Sequence, residues 1–141
     1  MRFWDTSALV PLIVDEPRTE ATATLFDEDR DFALWWATPV ECASSLTRLV
    51  REKRLDEDGL DLALTRLDAL LERGVVIEPC DTIRAEARRL LRVHPLRSAD
   101  SLQLAAAIEL RASPALRHEF VTYDERLALA ARREGFSVNA P

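Results

Sequence analysis

Glycine is scarce in this chain, with three residues in 141, and tyrosine occurs once. An all-β sandwich turns tightly many times and relies on glycine to do so, so that class is excluded. Cysteine occurs twice, and Cys42 and Cys80 lie too far apart for a metal or redox motif. They read as buried thiols of a cytoplasmic protein. No apolar run nears the ~18 residues of a membrane span. Asp5 interrupts the amino terminus before a secretory apolar segment forms. Histidine is limited to His94 and His118, and lysine to Lys53. The net charge of −6 argues against a polyanion binder driven by overall charge, although an acidic site can sit beside a local basic patch.

What remains is rich in alanine, leucine, arginine and glutamate, the composition of a helical protein. An apolar fraction of 48% over 141 residues suits one domain, 1–141, with a sizeable core. The pattern predicts a buried strand at the amino terminus that ends at Asp5, and strands at Phe32–Ala37, Val75–Pro79 (buried), Glu119–Thr122 and Phe136–Val138. Helices are predicted over Thr6–Val14 (disturbed by Pro11), Pro17–Asp29, Thr38–Arg54, Asp56–Arg73, Asp81–Val93, Ser98–Ala112 and Asp124–Glu134. The third and fourth form an αα-hairpin, and Gly74 ends the fourth. The Ser98 helix is apolar nearly all round and belongs at the centre of the protein. Strands alternating with helices define an α/β class: a central, mostly parallel sheet flanked by helices on both faces.

Four acids stand at the starts of elements. Asp5 and Asp124 follow strands directly, while Glu41 and Asp100 lie in first turns of helices. Each has a plain local explanation. Asp5 caps a helix. Thr38-x-x-Glu41 forms a capping box. Asp100 answers a helix dipole. Asp124 caps its helix, or Thr122-x-x-Glu125 forms a second box. Together they also describe a hard-cation site, since Mg²⁺ and Mn²⁺ take carboxylate oxygens and Thr6 or Ser7 can add a hydroxyl. Such a site would serve metal-assisted hydrolysis. Asp81 obeys the same grammar, so spacing alone leaves the set open.

The segments Asp5-Thr6-Ser7-Ala8-Leu9-Val10, Glu41-Cys42-Ala43-Ser44-Ser45-Leu46, Arg97-Ser98-Ala99-Asp100-Ser101-Leu102-Gln103-Leu104-Ala105-Ala106-Ala107 and Val121-Thr122-Tyr123-Asp124-Glu125-Arg126-Leu127-Ala128 together resemble PIN-domain ribonucleases. Within that family they are most similar to VapC-type toxins of bacterial toxin–antitoxin pairs. The resemblance implies a PIN-like fold and an endoribonuclease using Mg²⁺, with Mn²⁺ accepted. Asp5, Asp100 and Asp124 would bind metal, and Glu41 would ligate it or orient the attacking water. Thr6, Ser7 and Thr122 would support them, and Asp81, matching no catalytic position, keeps a helix-cap role. In-line attack of water on a phosphodiester would leave 5′-phosphate and 3′-hydroxyl ends without a histidine base. The implied partners are structured RNA (tRNA or ribosomal RNA loops), a cognate antitoxin and a second copy in a homodimer. No membrane is implied, and DNA would be met only through the antitoxin.

Arg48, Arg51, Lys53 and Arg54 cluster late in the Glu41 helix. They read either as RNA-phosphate contacts or as a solvated, dipole-favoured helix end. Arg84, Arg88, Arg89 and Arg92 read as solvated surface, and Arg97 as the best further RNA contact. Trp35 and Trp36 should point to opposite faces of a strand, one into the core. The apolar residues Leu9, Leu12, Ile13, Ala21, Leu25 and Phe26 read as core, or under the resemblance as an antitoxin surface. Two other functions compete. A haloacid-dehalogenase-like phosphatase needs a second acid where Ser7 stands, and a receiver domain needs a late lysine that is missing. A catalytically inactive binding module would keep the fold and use the acids as caps.

Overall fold

The computed structural model describes residues 1–28, 31–111 and 118–140. Its centre is β1 (Arg2–Trp4), a short strand with every residue buried. β2 (Phe32–Trp35) and β4 (Glu119–Val121) pair with it on either side, and β3 (Val75–Ile77) and β5 (Ser137–Asn139) complete a sheet of order β3-β2-β1-β4-β5. All the pairings are parallel, with Phe3 opposite both Ala33 and Phe120. Parallel neighbours need long crossovers, and helices supply them here. The chain runs outward from β1 through β2 to β3, then returns to β4 on the other side. That reversal creates a crevice beyond the carboxyl ends of β1 and β4, the usual ligand position in open α/β sheets.

Alternating side chains divide the core. Phe3, Ala33, Trp35 and Phe120 pack on one face against α5 (Asp81–Val93), α6 (Ser98–Leu110) and α7 (Glu125–Arg133). Trp4, Phe32, Leu34 and Val121 pack on the other against α1 (Thr6–Leu9), α2 (Thr19–Glu28), α3 (Thr38–Arg51) and α4 (Glu57–Leu71). Phe3 stacks on Phe120 at 5.2 Å between centroids, and Trp4 meets Phe26 edge-on at 5.3 Å. Burying each such side chain is worth roughly 1.5–3 kcal/mol. Helices on both faces bear out the α/β reading. The middle of α6, Leu104–Ala107, is fully buried. Leu9, Ile13 and Phe26 are likewise core. Trp35 is buried while Trp36 is 53% exposed, as the alternation requires.

Several local expectations are corrected. The first helix stops at Leu9 and tightens into a 3₁₀ turn over Val10–Leu12. Proline at position 11 has no N–H to continue the α-helical ladder. α2 begins at Thr19, and the expected end at Asp29 lies outside the described residues, as does Ala112 beyond α6. β3 is not buried: as an edge strand it leaves Val75 and Val76 exposed. Cys80 is exposed, whereas Cys42 is buried and its thiol is pushed up to about 12, chiefly by burial. Asp81 is not a cap but the first residue of α5, pairing with Arg84 at 2.7 Å on the surface. Gly74 is required by space rather than by a left-handed turn. A Cβ there would lie 2.6 Å from Leu34 and 2.9 Å from Phe32. Gly135, with φ of 91°, does end α7 in the left-handed region. The α3–α4 hairpin turns through Lys53 at φ 57°, and Asp56 caps α4 by accepting from the Gly59 N–H at 2.8 Å. Among the described residues, no helix is long and apolar enough to cross a membrane.

A candidate active site at the carboxyl edge of the sheet

Asp5 leaves β1 at the crevice. Its N–H donates to the Val121 carbonyl at 3.0 Å, which carries the β1–β4 pairing one step past the strands. Its side chain caps α1 and is only 5% exposed. One oxygen, Oδ2, accepts three hydrogen bonds: from the Ser7 N–H (3.1 Å), the Ser7 hydroxyl (2.5 Å) and the Thr122 hydroxyl (3.0 Å). The other, Oδ1, accepts none among the described residues. Burial raises the carboxyl above its ordinary range, the three donors pull it back, and the charge of Asp100 raises it further.

Glu41 projects from the first turn of α3, but it does not close a capping box. Ala37 precedes the helix without a side-chain cap, and Thr38 turns to Gln103. Glu41 Oε2 instead accepts from the Thr6 hydroxyl (3.1 Å) and from Gln103 Nε2 (3.2 Å). The same amide reaches Thr6 Oγ1 (3.1 Å) and Thr38 Oγ1 (3.2 Å). Gln103 is fully buried in α6 and ties three elements to one carboxylate. Burial raises the Glu41 carboxyl, Gln103 and Thr6 lower it, and the charges of Asp5 and Asp100 raise it again.

Asp100 sits in the first turn of α6 and, among the described residues, accepts one long 3.3 Å bond, from the Arg97 N–H. Burial raises its carboxyl most, and the Asp124 charge adds to this, while Arg126 and Arg97 oppose it. Asp124 caps α7, its Oδ1 accepting from the Leu127 N–H at 2.9 Å, so the Thr122–Glu125 box is not formed. Thr122 instead accepts from the Asp124 N–H (3.1 Å) while donating to Asp5.

One cleft of about 370 Å³ collects Asp5, Thr6, Ser7, Glu41, Asp100 and Asp124. Of the expected basic residues, Arg48 lines it. Arg51 does not, and Arg97 lies outside the lining but close enough for its charge to act on Asp100. Asp81, His94 and His118 take no part in it. His94 Nε2 lies 2.6 Å from Glu134 Oε1 instead. The cleft also holds Glu16, Arg18, Ser45 and Tyr123, which the sequence reading missed. Gln103 was also missed as a functional residue, although a lone amide in an otherwise apolar helix middle is a readable signal. Arg18 carries no comparable signal.

The chemistry of this donor set fits a hard divalent cation. Carboxylates and hydroxyls line the cleft without a thiol or an imidazole. Asp5 Oδ1 has no protein donor, and the acids raise one another by repulsion. Among the described residues, no three candidate ligands already stand gathered around a single point. Mg²⁺ keeps several waters and takes one or two carboxylates. Asp5 and Asp100 would hold it, with Glu41 and Asp124 within reach of its waters.

These features define an open parallel α/β protein with an acidic cleft at its topological switch point. The PIN domain family model matches residues 2–133, and the chain belongs to that family. No curated protein matches its sequence. Among solved structures it is similar to VapC20 of Mycobacterium tuberculosis, a sarcin-ricin loop cleaving toxin. Identity is 16%, the TM-score is 0.72 and 100% of each chain is covered. It is also similar to FitAcB from Neisseria gonorrhoeae (18% identity, TM-score 0.70, 100% of this chain and 98% of that one). A toxin–antitoxin complex from Klebsiella pneumoniae matches at 20% identity and TM-score 0.69, again over 100% and 98% of the chains. At such identities the likeness is one of fold.

Proposed function

We propose that this protein is a Mg²⁺-dependent endoribonuclease, with Mn²⁺ also accepted, and the VapC-type toxin of a toxin–antitoxin pair. It acts on structured RNA in the cytoplasm, works as a homodimer and is held inactive by a cognate antitoxin. The observation that carries this reading is the meeting of Asp5, Glu41, Asp100 and Asp124 on one cleft bordered by Arg18 and Arg48. The family supports a nuclease. The similar structures include one described as a sarcin-ricin loop cleaving toxin and one described as a toxin–antitoxin complex.

A bound cation would supply Lewis acidity, activating water and offsetting charge on the phosphate. The chain's own residues do the rest. Ser7 and Thr122 hold Asp5 rigid through Oδ2, which leaves Oδ1 for ligation. Thr6 and Gln103 hold Glu41 through Oε2, and its raised carboxyl accepts the proton of the attacking water at the other oxygen. Arg48 draws RNA phosphates to an otherwise negative cleft. Asp124 spends one oxygen on its helix cap, which leaves it the lesser ligand.

The test is cleavage of a mixed tRNA and ribosomal RNA pool with Mg²⁺, with Mn²⁺ and with chelator, beside Asp100→Asn. Discrete fragments requiring both metal and Asp100 are expected. A binding module is the competing reading, because Asp5 and Asp124 already serve as caps. RNA bound but left intact in both metals would establish it.

A further inference from the structure

The mechanism above leaves Tyr123 unused. Its ring lies in the cleft, and the guanidinium of Arg18 covers it at 4.3 Å from the centroid. The pair is built rather than incidental. The Tyr123 hydroxyl donates to Thr22 Oγ1 (2.6 Å), and Thr22, fully buried in α2, donates in turn to the Arg18 carbonyl (2.6 Å). One hydroxyl therefore sets the register of ring against guanidinium. On the other side the Tyr123 N–H donates to Ser7 Oγ (2.8 Å), the hydroxyl that also holds Asp5. The platform is thus fixed relative to the first acid. Arg18 is exposed and lines the cleft, with one face of its guanidinium against the Tyr123 ring.

A cation that only attracts phosphate needs no aromatic beneath it, and Arg48 lines the same cleft without one. A flat guanidinium backed by a ring is what stacks an unpaired base. We infer that Arg18 and Tyr123 form a nucleobase subsite, in which an unpaired base of the RNA stacks on the outer face of Arg18 beside the phosphate held among the acids. The inference rests on the ribonuclease reading for its ligand, but not on cleavage.

The experiment uses short single-stranded RNAs carrying 2-aminopurine at each position in turn, with Ca²⁺ replacing Mg²⁺ and integrity checked on a gel. Stacking quenches 2-aminopurine. Wild type should quench strongly at one or two adjacent positions. Tyr123→Leu and Arg18→Gln should abolish that quench and weaken binding about ten-fold, as losing one stacked base does. Tyr123→Phe, which keeps the ring but loses the hydroxyl that sets its register, should retain part of the quench and weaken binding less than Tyr123→Leu does. Melting curves establish that each variant is folded, and Arg18→Gln, on the surface, remains informative if Tyr123→Leu is not. Unchanged quenching in Arg18→Gln would overturn the subsite. So would a loss of affinity that only follows the salt slope, which would make Arg18 a phosphate contact. RNA that stacks here but is never cleaved in Mg²⁺ would overturn the nuclease and leave the subsite standing.

Discussion

The two walls of the cleft are built differently. The wall at the ends of β1 and β4 holds Asp5 with three donors, two from Ser7 in the first turn of α1 and one from Thr122 just past β4, and Asp5 is almost wholly out of water. The opposite wall draws on α1, α3 and α6. There Glu41 has two donors, one of them an amide shared with two hydroxyls, and Asp100 has a single long backbone bond. The first wall is set before anything binds, and the second can yield. Under the proposed reading Asp5 would offer a ligand oxygen already in position, and Asp100 and Glu41 would be the less firmly held ligands.

The largest effect should come from removing charge on either wall. Asp5→Asn and Asp100→Asn should each lower cleavage by more than about 100-fold, beyond what loss of an outer-shell partner costs, with circular dichroism unchanged. Wild-type rates in either variant would break the assignment. The supports come next. Thr122→Val should cost about 10- to 100-fold and raise the Mg²⁺ requirement, because Asp5 loses a fixed donor. Gln103→Leu should lower the rate by a similar factor. It should also cost roughly 1–3 kcal/mol in a denaturant melt, since it strips buried hydroxyls of a partner. If only Gln103→Leu alters stability, the contrast between a rigid and a yielding wall is reversed.

Titration acts on both walls together. Asp5, Glu41 and Asp100 all have raised carboxyls, chiefly through burial. The folded chain therefore holds their protons more tightly than the unfolded chain does. Their contribution to stability is complete below the ordinary carboxylate range, near pH 4, and is lost as pH rises through the raised values. In chelator, melting temperature should fall between pH 5 and pH 8, and Mg²⁺ should restore more at pH 8 than at pH 5. Glu134 works oppositely. Burial favours its protonated form, but bonds from Arg89 and His94 outweigh that and lower it, so its contribution is lost on acidification. An equal Mg²⁺ shift at both pH values would argue against cation binding by these acids. The smallest effect belongs to Asp81→Ala, which should leave cleavage within about two-fold, because its carboxylate only pairs with Arg84 on the surface.

Much of the fold was legible because it rests on local pattern. Asp81–Val93 was bounded from its periodicity and the His94-Pro95 stop, and α6 was recognised as central from its continuous apolar surface. Properties set by tertiary position were not legible. Nothing in Val75-Val76-Ile77 states that it lies at the sheet edge, and nothing around Cys80 states that it faces water. The site was half legible. The acids stood out as punctuation between elements, but Asp81 followed the same grammar, and convergence depends on sheet order. Thr38 and Glu41 show the same limit: their spacing spells a cap, yet Gln103, more than 60 residues on, takes both side chains.

The sheet order bears on synthesis as well. β1 is made first but lies in the middle, and its bonding partners past Asp5 are Val121 and Thr122. A ribosome-bound chain lacking those residues has Asp5 without Thr122 and without Asp124. Contacts of such long sequence separation form late. If the chain cuts RNA as proposed, it would be harmless to the ribosome making it until nearly the whole domain has emerged.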